Sequence, residues 1–584
     1  MTFFDLLSLV GGLALFLYGM NVMGDGLKKL AGGRLEIFLG KMTSNRFKGF
    51  LLGLVVTAII QSSSATTVML VGFVNSGIMS LAQSISVIMG ANIGTTVTAW
   101  LLSLTGISGD AFFIKILKPT SFTPVLAVIG VIMMMAGKTE KKRDIGTILI
   151  GFAVLMFGMD AMSAAMDGLK DSEAFAQALV MFSNPVMGIL AGTVFTAIIQ
   201  SSSASVGILQ AMSLSGVIPY SIAIPVILGQ NIGTTITPIL SAINGNTASK
   251  RVAVTCLYFN VIGVAVLSAI FYILNGIFGF AFMNMPVTVL VIACIHTLFN
   301  VLSTILFMPC TKLLEKLAIA TVKDRGKKEE NSDIDTLDER FLAVPSFAVE
   351  NCRNLVNKMA ILAKTAMFDA TTLLWEFDEE KIDSILKSEK DVDKYEDKIS
   401  TYLVKLAELK LSAKDSSEVT KLLHVIGDVE RISDHSVNIL EVSQEIAEKN
   451  IEFSERAKHD IGIITNAVCE IITIATDALV SENLEMAKRV EPLEQIIDRL
   501  KRKIKNNHII RLKEGGCTVE LGFILSDLLN NYERVADHCS NIAVCMLEME
   551  NNSFETHEYL SHVKNDGENK FFEQYDIYKK KYSL

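Results

Sequence analysis

Charge is missing from long parts of this chain. No Asp, Glu, Lys or Arg occurs from Leu51 to Gly109 or from Ala174 to Ser249. Uncharged runs far beyond the ~20 apolar residues of one membrane span exclude a purely water-soluble fold and indicate a polytopic helical membrane protein. Cysteine is scarce as well. None of the eight precedes Cys256, and no CxxC or other metal-type spacing occurs. That argues against a disulfide framework or a thiolate metal site and for reduced thiols. There is no phosphate-binding P-loop, no nucleophile elbow and no HExxH, so an enzymatic role is not expected. The apolar stretch from Met1 to Met23 lacks a basic n-region and a small-residue cleavage site. It reads as a first membrane helix, not a removed signal.

The charge that is present splits the chain. Residues 1–319 hold 17 Lys+Arg against 11 Asp+Glu, whereas the remainder is acidic, with 51 Asp+Glu against 36 Lys+Arg. Apolar segments lie near 4–24, 50–78, 81–104, 121–137, 145–166, 185–212, 218–243, 252–280 and 286–311. Beyond residue 320 the pattern changes to charged sequence with amphipathic helical spacing. The expected organisation is a transmembrane domain over 1–320, a polar linker over 321–340, a soluble helical domain over 341–550 and a charged tail over 551–584.

The membrane half repeats itself. TAIIQSSSA at 57–65 recurs at 196–204, GANIGTTVT from Gly90 matches GQNIGTTIT from Gly229, and Tyr18-Gly19-Met20 matches Phe157-Gly158-Met159, all at an offset of 139. One offset without insertions marks a duplicated unit, with repeats near 4–137 and 145–311. A polar motif duplicated inside membrane-length apolar sequence points to a transporter's central site. Basic loops at 25–48 and 138–144 belong in the cytoplasm and the acidic 164–187 stretch outside, which gives the two copies inverted topology. Crossing parity between these loops then requires one non-crossing segment per repeat. The QSSS segments are the candidates, as re-entrant hairpins whose serines satisfy freed backbone groups.

Gln61, Ser62, Ser63, Ser64 and Thr66, with Gln200, Ser201, Ser202, Ser203 and Ser205, supply hydroxyl and amide groups. Asn92, Thr95 and Thr96, with Asn231, Thr234 and Thr235, add a second set, and the flanking Gly90, Gly94, Gly229 and Gly233 suit a local break or a close helix approach. An interrupted helix offers N–H groups to an anion at one end and carbonyls to Na⁺ at the other. No Lys or Arg lies in either motif. A doubly charged oxyanion there needs cations as company, which argues for cation–anion symport without identifying the anion. For any single serine, helix packing is the plainer role; an identical nine-residue block used twice weighs against it. Asp160, at the position of Asn21 in the other copy, is a cation ligand or an end-of-helix residue, and His296 reads as an interhelical hydrogen-bonding residue.

The paired QSSSA and NIGTT motifs resemble the type II sodium/phosphate cotransporter family over residues 4 to about 315. The resemblance implies two inverted repeats, inorganic phosphate as substrate, Na⁺ as coupling ion, and Gln61–Ser64 with Gln200–Ser203 as the site. Thr66-Thr67 in the first copy against Ser205-Val206 in the second would divide substrate and sodium duties between repeats.

In the soluble half, amphipathic helices are expected near 341–376, 378–411, 415–449, 455–480, 482–513 and 518–550. A second duplication, ERxxDHxxNI at 430–439 and 533–542, has an offset of 103. Each copy follows an ExxxD, Glu389 with Asp393 and Glu494 with Asp498. An i,i+4 spacing puts both carboxylates on one helix face. Paired helices would gather Glu389, Asp393, Glu430 and Asp434, and likewise Glu494, Asp498, Glu533 and Asp537, as sites for hard or borderline cations. Neutralisation by Arg431 and Arg534 is the plain alternative, and hydrogen bonding is the expected role of His435 and His538. This half resembles PhoU-like domains over about 341–550. The resemblance implies tandem three-helix bundles, divalent or iron-type metal ions, regulation of phosphate uptake and a cytoplasmic C-terminal domain.

The expected protein is therefore all-α: a polytopic transporter with two inverted repeats and re-entrant hairpins, fused to a soluble tandem three-helix-bundle domain. Its expected function is sodium-coupled phosphate transport by alternating access across the plasma (inner) membrane, regulated by the soluble domain. The alternatives are a phosphate exporter or leak valve, and a membrane-tethered phosphate sensor. Phosphate, sodium and the lipid bilayer are the expected partners, with no nucleic acid. A homodimer stays open, since small residues serve dimer packing as readily as internal packing.

Overall fold

The computed structural model describes residues 3–31, 45–76, 78–106, 119–167, 181–243, 245–323, 337–343, 345–376, 378–409, 411–449, 452–550 and 569–584. Among them every regular element is helical, apart from one isolated bridge between Pro219 and Pro286. The chain divides into two units, Met1–Phe347 and Ala348–Leu584.

The first unit contains α1 (Phe3–Ala31), α2 (Arg46–Ile60), α3 (Ser63–Asn75), α4 (Leu81–Ser103), α5 (Pro119–Ala136), α6 (Glu140–Asp167), α7 (Pro185–Ile199), α8 (Ser202–Leu214), α9 (Tyr220–Gly233), α10 (Ile236–Ala242), α11 (Thr247–Phe278), α12 (Val289–Phe307) and α13 (Thr311–Thr321). Its polarity is inverted relative to a water-soluble protein. Val125, Val128, Ile132 and Met135 of α5 and Ile270, Ile273, Ile277 and Phe278 of α11 are exposed, while Thr57, Thr196, Ser205, Gln210 and Asn300 are buried. Water selects the opposite distribution; a hydrocarbon solvent tolerates this one. Among the described residues, seven helices are long and apolar enough to cross a membrane, six of them in this unit and one, Glu455–Ser481, in the second. The protein is a multi-pass membrane protein.

The duplication is visible in packing. A Cβ on Gly19 of α1 would lie 2.7 Å from the carbonyl of Gly151 in α6, and one on Gly151 would lie 2.9 Å from the carbonyl of Gly19. Gly12 and Gly158 repeat this reciprocal approach. At the offset of 139, Gly12 is equivalent to Gly151 and Gly19 to Gly158, so the two pairs cross over as in a two-fold-related contact, across a helix approach that glycine permits. The copies differ in the helix that carries the NIGTT motif. Where α4 runs unbroken, its counterpart is split into α9 and α10 at Thr234-Thr235. Pro238 explains the split, because its ring collides with the carbonyl four residues back and it donates no N–H; Ala99 holds the equivalent position in α4.

The second unit is built from α14 (Pro345–Leu373, which starts in the first unit), α15 (Glu379–Ala407), α16 (Ala413–Glu448), α17 (Glu455–Ser481), α18 (Leu484–Ala487), α19 (Val490–Lys513), α20 (Val519–Glu550) and α21 (Asn569–Lys581). The helix expected over 482–513 is divided between α18 and α19, where Pro492 disrupts the backbone just before it. Ile464, Val468 and Ile471 of α17 and Leu525, Leu528 and Tyr532 of α20 are buried in its core. Phe341 and Phe347, expected to open the soluble domain, are instead buried within the first unit. Most of the expected 321–340 linker and the first part of the 551–584 tail lie outside the described residues. The end of that tail forms α21, with Tyr578 and Tyr582 buried and Arg489 donating to the Tyr578 hydroxyl at 3.2 Å.

Candidate functional site

Each QSSS motif makes a sharp helix reversal. Gln61 ends α2 in the left-handed region (φ 57°, ψ 26°), and Gln200 ends α7 the same way (φ 58°, ψ 21°). The next serine starts the following helix. Ser62 Oγ accepts from Ala65 N at 3.1 Å, and Ser201 Oγ accepts from Ala204 N at 3.2 Å, the ordinary N-cap bond. The reversal brings Thr57 Oγ1 within 3.0 Å of Thr66 Oγ1, and Thr196 Oγ1 within 2.8 Å of Ser205 Oγ. Nine residues of continuous helix would separate such pairs by about 13.5 Å. Thr66 and Ser205 therefore fasten the hairpins.

The two tips meet. Ser64 Oγ donates to the Gln200 carbonyl at 3.3 Å. Thr98 Oγ1 donates to Gln61 Oε1 at 2.7 Å and accepts from Ser203 Oγ at 3.4 Å. Gln61 Nε2 donates to the Ala58 carbonyl. The N–H groups of Ser63 and Ser64, and of Ser202 and Ser203, open α3 and α8 and have no acceptor within their own helix. Two helix N-termini facing one place make a positive electrostatic end without any basic side chain. Neutral oxygens beside them, including the Gln200 carbonyl and the serine hydroxyls, have the chemistry that Na⁺ accepts.

The NIGTT motifs lie beside these tips, on α4 in the first copy and, in the second, at the end of α9 and the break that follows it. Asn92 Nδ2 donates to the Ile88 carbonyl at 2.9 Å, and Asn231 Nδ2 to the Ile227 carbonyl at 2.8 Å. Thr95, Thr96, Thr234 and Thr235 donate to the carbonyls of Ala91, Ile93, Gln230 and Ile232 within their own turns. The glycines serve close approach: a Cβ on Gly94 would lie 2.6 Å from the Leu54 carbonyl, and one on Gly233 2.5 Å from the Thr193 carbonyl. The break in the second copy comes from Pro238 rather than from these glycines.

In the second unit, α15 and α16 bring carboxylates together. Oxygens of Glu389, Asp393 and Asp434 lie within 4.8 Å of one another. Burial first, then the charges of Asp393 and Asp434, raises Glu389. Burial first, then Asp434, pushes Glu430 up to about 7, against the opposing pull of Arg431. An all-carboxylate set, in which Glu389 and Glu430 are raised by burial and by their acidic neighbours, fits a hard or borderline cation. The second copy differs. Asp498 and Asp537 are both raised by burial and then by Glu533, but Lys501 forms an ion pair with Glu533. His435 and His538 stack at 5.7 Å between the copies, and each ring is held by a hydrogen bond: His435 Nδ1 to Asn531 Oδ1 at 2.9 Å, His538 Nδ1 to Asp428 Oδ1 at 2.8 Å.

Comparison with known proteins matches residues 15–164 and 166–291 to the Na+/Pi-cotransporter family. A relative from Bacillus subtilis, the "Uncharacterized protein YqeW", is 33% identical over 313 residues, covering 53% of this chain and 96% of that one. The chain belongs to the Na+/Pi-cotransporter family. The chain also carries tandem PhoU domains, matched at 356–443 and 462–546. The chain is also similar, over both halves, to the "Putative inorganic phosphate export protein YjbB" of Salmonella typhimurium, at 23% identity over 95% of this chain and 99% of that one. The "Sodium-dependent phosphate transport protein 2A" of Rattus norvegicus is 37% identical over 99 residues, 16% of this chain and 15% of its own.

Two residues at the meeting of the tips and beside it were not singled out from sequence. Thr98 bridges Gln61 and Ser203, and it closes the repeated nine-residue string that begins at Gly90, so the duplication itself marked it. Asn300 of α12 donates to Asn231 Oδ1 at 3.2 Å; no repeated string contains it, and its place depends on how α12 packs against α9.

Proposed function

We propose that this protein moves inorganic phosphate across the plasma membrane, with efflux as the net direction, through a site where the two hairpin tips meet. The observation that carries the direction is coverage. Likeness to the phosphate export protein runs through both halves of the chain, over 95% of it, whereas likeness to the sodium-dependent transporter is confined to 16%. The hairpins are re-entrant, the two copies are inverted repeats, and access alternates around the tips. Phosphate takes the N–H groups of Ser63, Ser64, Ser202 and Ser203 with their hydroxyls; Na⁺ takes Gln and Ser oxygens and the Gln200 carbonyl. Asn92, Thr95, Thr96, Asn231, Thr234 and Thr235 support the tips from behind, and Thr66 and Ser205 hold their shape. The PhoU region lies in the cytoplasm, takes a metal ion at Glu389, Asp393, Glu430 and Asp434, a second at Glu494, Asp498, Glu533 and Asp537, and regulates flux.

Sodium-driven uptake is the second reading. The lack of any Lys or Arg at the tips favours it, because phosphate needs cationic company there. Radiolabelled phosphate flux through the purified full chain in liposomes, under inward, outward and no sodium gradient, separates the two. Efflux that needs no inward sodium gradient, together with lowered phosphate content in cells expressing the chain, is the expected result. Uptake driven by inward sodium, with raised cell phosphate, would reverse the direction. Normal flux in both Gln61→Ala and Gln200→Ala would remove the tips as the site.

A further inference from the structure

We propose that Asp338, Arg340, Phe341 and Phe347 form a strap that restrains α3, the second helix of the first hairpin, and that loosening this strap is how the PhoU region raises phosphate flux. The inference rests on the transport reading above and names its regulatory contact.

The strap is built from aromatic and polar contacts within the first unit. Phe341 and Phe347 are both buried, with ring centroids 4.8 Å apart, and Phe73 of α3 stands 5.4 and 4.8 Å from them. Gly72 makes room: a Cβ there would lie 2.7 Å from Phe341 Cε1. The end of α3 is then tied down by Asn75. Its Nδ2 donates to Asp338 Oδ2 at 2.9 Å, and its Oδ1 accepts from Asn246 N at 3.0 Å and Ser249 Oγ at 2.7 Å. Arg340 pairs with Asp338 at 3.2 Å and donates to Ser249 Oγ at 3.3 Å, so one cluster joins the strap, α3 and the start of α11. The two charged side chains are only 14% and 8% exposed. Breaking such a pair is far harder than breaking a solvated one.

Among the described residues, only the first hairpin is held this way. At the offset of 139, Gly72, Phe73 and Asn75 correspond to Ala211, Met212 and Leu214, which supply neither the glycine gap nor the amide. The sequence identity of the tips is therefore not matched at the far ends of the hairpins. α14 starts at Pro345, includes Phe347 and continues without a break into the second unit. A displacement of that helix moves Phe347, and with it the ring packing on Phe341 and Phe73. The restraint favours this conformation over any in which α3 has moved, and a change that weakens it shifts the population toward the others.

The test uses the full chain in liposomes and compares Phe341→Ala, Phe341→Leu and Gly72→Ala. F341A removes the ring, and G72A pushes it away while improving the intrinsic helix propensity of α3. Both are expected to raise phosphate flux about fivefold or more, with F341L close to the parent chain. Hydrogen exchange of the same samples should rise in α3 and not in α8. Unchanged exchange in α3 for both F341A and G72A would overturn the strap, as would faster exchange accompanied by lower flux. If the parent chain carries no phosphate, the transport reading fails, and the exchange comparison still decides whether the strap holds α3.

Discussion

At Gln61 and Gln200 the backbone takes a conformation that glycine adopts freely and that costs another L-residue about 1–2 kcal/mol. Local strain persists only where the surroundings hold it, and at Gln61 the side chain does so through Thr98 and the Ala58 carbonyl. Gln61→Gly separates the two contributions. It should relieve the strain and leave thermal stability in detergent equal or higher, while phosphate flux falls to background because the Thr98 bond is lost. A variant with both properties intact would mean that the side chain has no part in transport. Thr98→Val removes one hydrogen bond on each side of the tip junction, about 1 kcal/mol each. Its flux should fall several-fold without loss of folded protein, as judged by size-exclusion yield.

At the scale of elements, α4 against α2 and α9 against α7 are the contacts that place the tips. A Cβ on Gly90 would meet the Phe50 carbonyl, and one on Gly229 the Ile189 carbonyl. Overpacking of this kind costs about 1–3 kcal/mol, so Gly90→Ala and Gly229→Ala should each lower the midpoint of thermal unfolding in detergent. In the second unit the carboxylates of α15 and α16 give a pH dependence. Glu430 ordinarily titrates near 4.5 and is pushed up to about 7 in the folded chain. Between those values the folded form holds a proton that the unfolded form has released, so the metal-free protein loses stability as pH rises through that window. A bound cation needs the deprotonated form, and its affinity should rise over the same window. Calorimetry with Mn²⁺ at pH 5 and pH 7.5 checks both signs, and Asp434→Asn should flatten the difference.

For the whole molecule, the proposed metal site and the proposed phosphate site lie in different units, so any influence between them is a coupling free energy. Chelation of metal from the full chain should change phosphate flux at least several-fold, and the Glu389→Gln/Asp434→Asn chain should be indifferent to the chelator. An equal chelator response in that variant would assign the effect to another ion.

Much of this protein could be read in order of local signal strength. Uncharged runs, the offset of 139 and the ERxxDHxxNI pair are each carried by short local strings, and they led to the helices, the duplicated unit and a division of the chain into two parts. The hairpin reversals were also readable, since a Gln-Ser-Ser-Ser string in apolar sequence offers its own caps. Sequence was less informative where one copy departs from the other for reasons of packing. Pro238 stands in plain sight, but a proline in an apolar helix can kink it, end it or split it. Which of these happens between α9 and α10 depends on the helices packed around them. The linker boundary was blurred, because Phe341 and Phe347 look like the first apolar positions of an amphipathic helix until Phe73 and Gly72 are seen beneath them. By itself, then, the sequence determined the helical class, the duplication and the residue types at the tips, since periodicity, charge and capping are local properties. The tertiary structure alone decided that Thr98 joins Gln61 to Ser203, that Asn300 reaches Asn231, and that Asn75 at the end of α3 bonds Asp338. Those contacts join residues far apart in the chain, and the meeting of such residues is fixed by how whole helices pack.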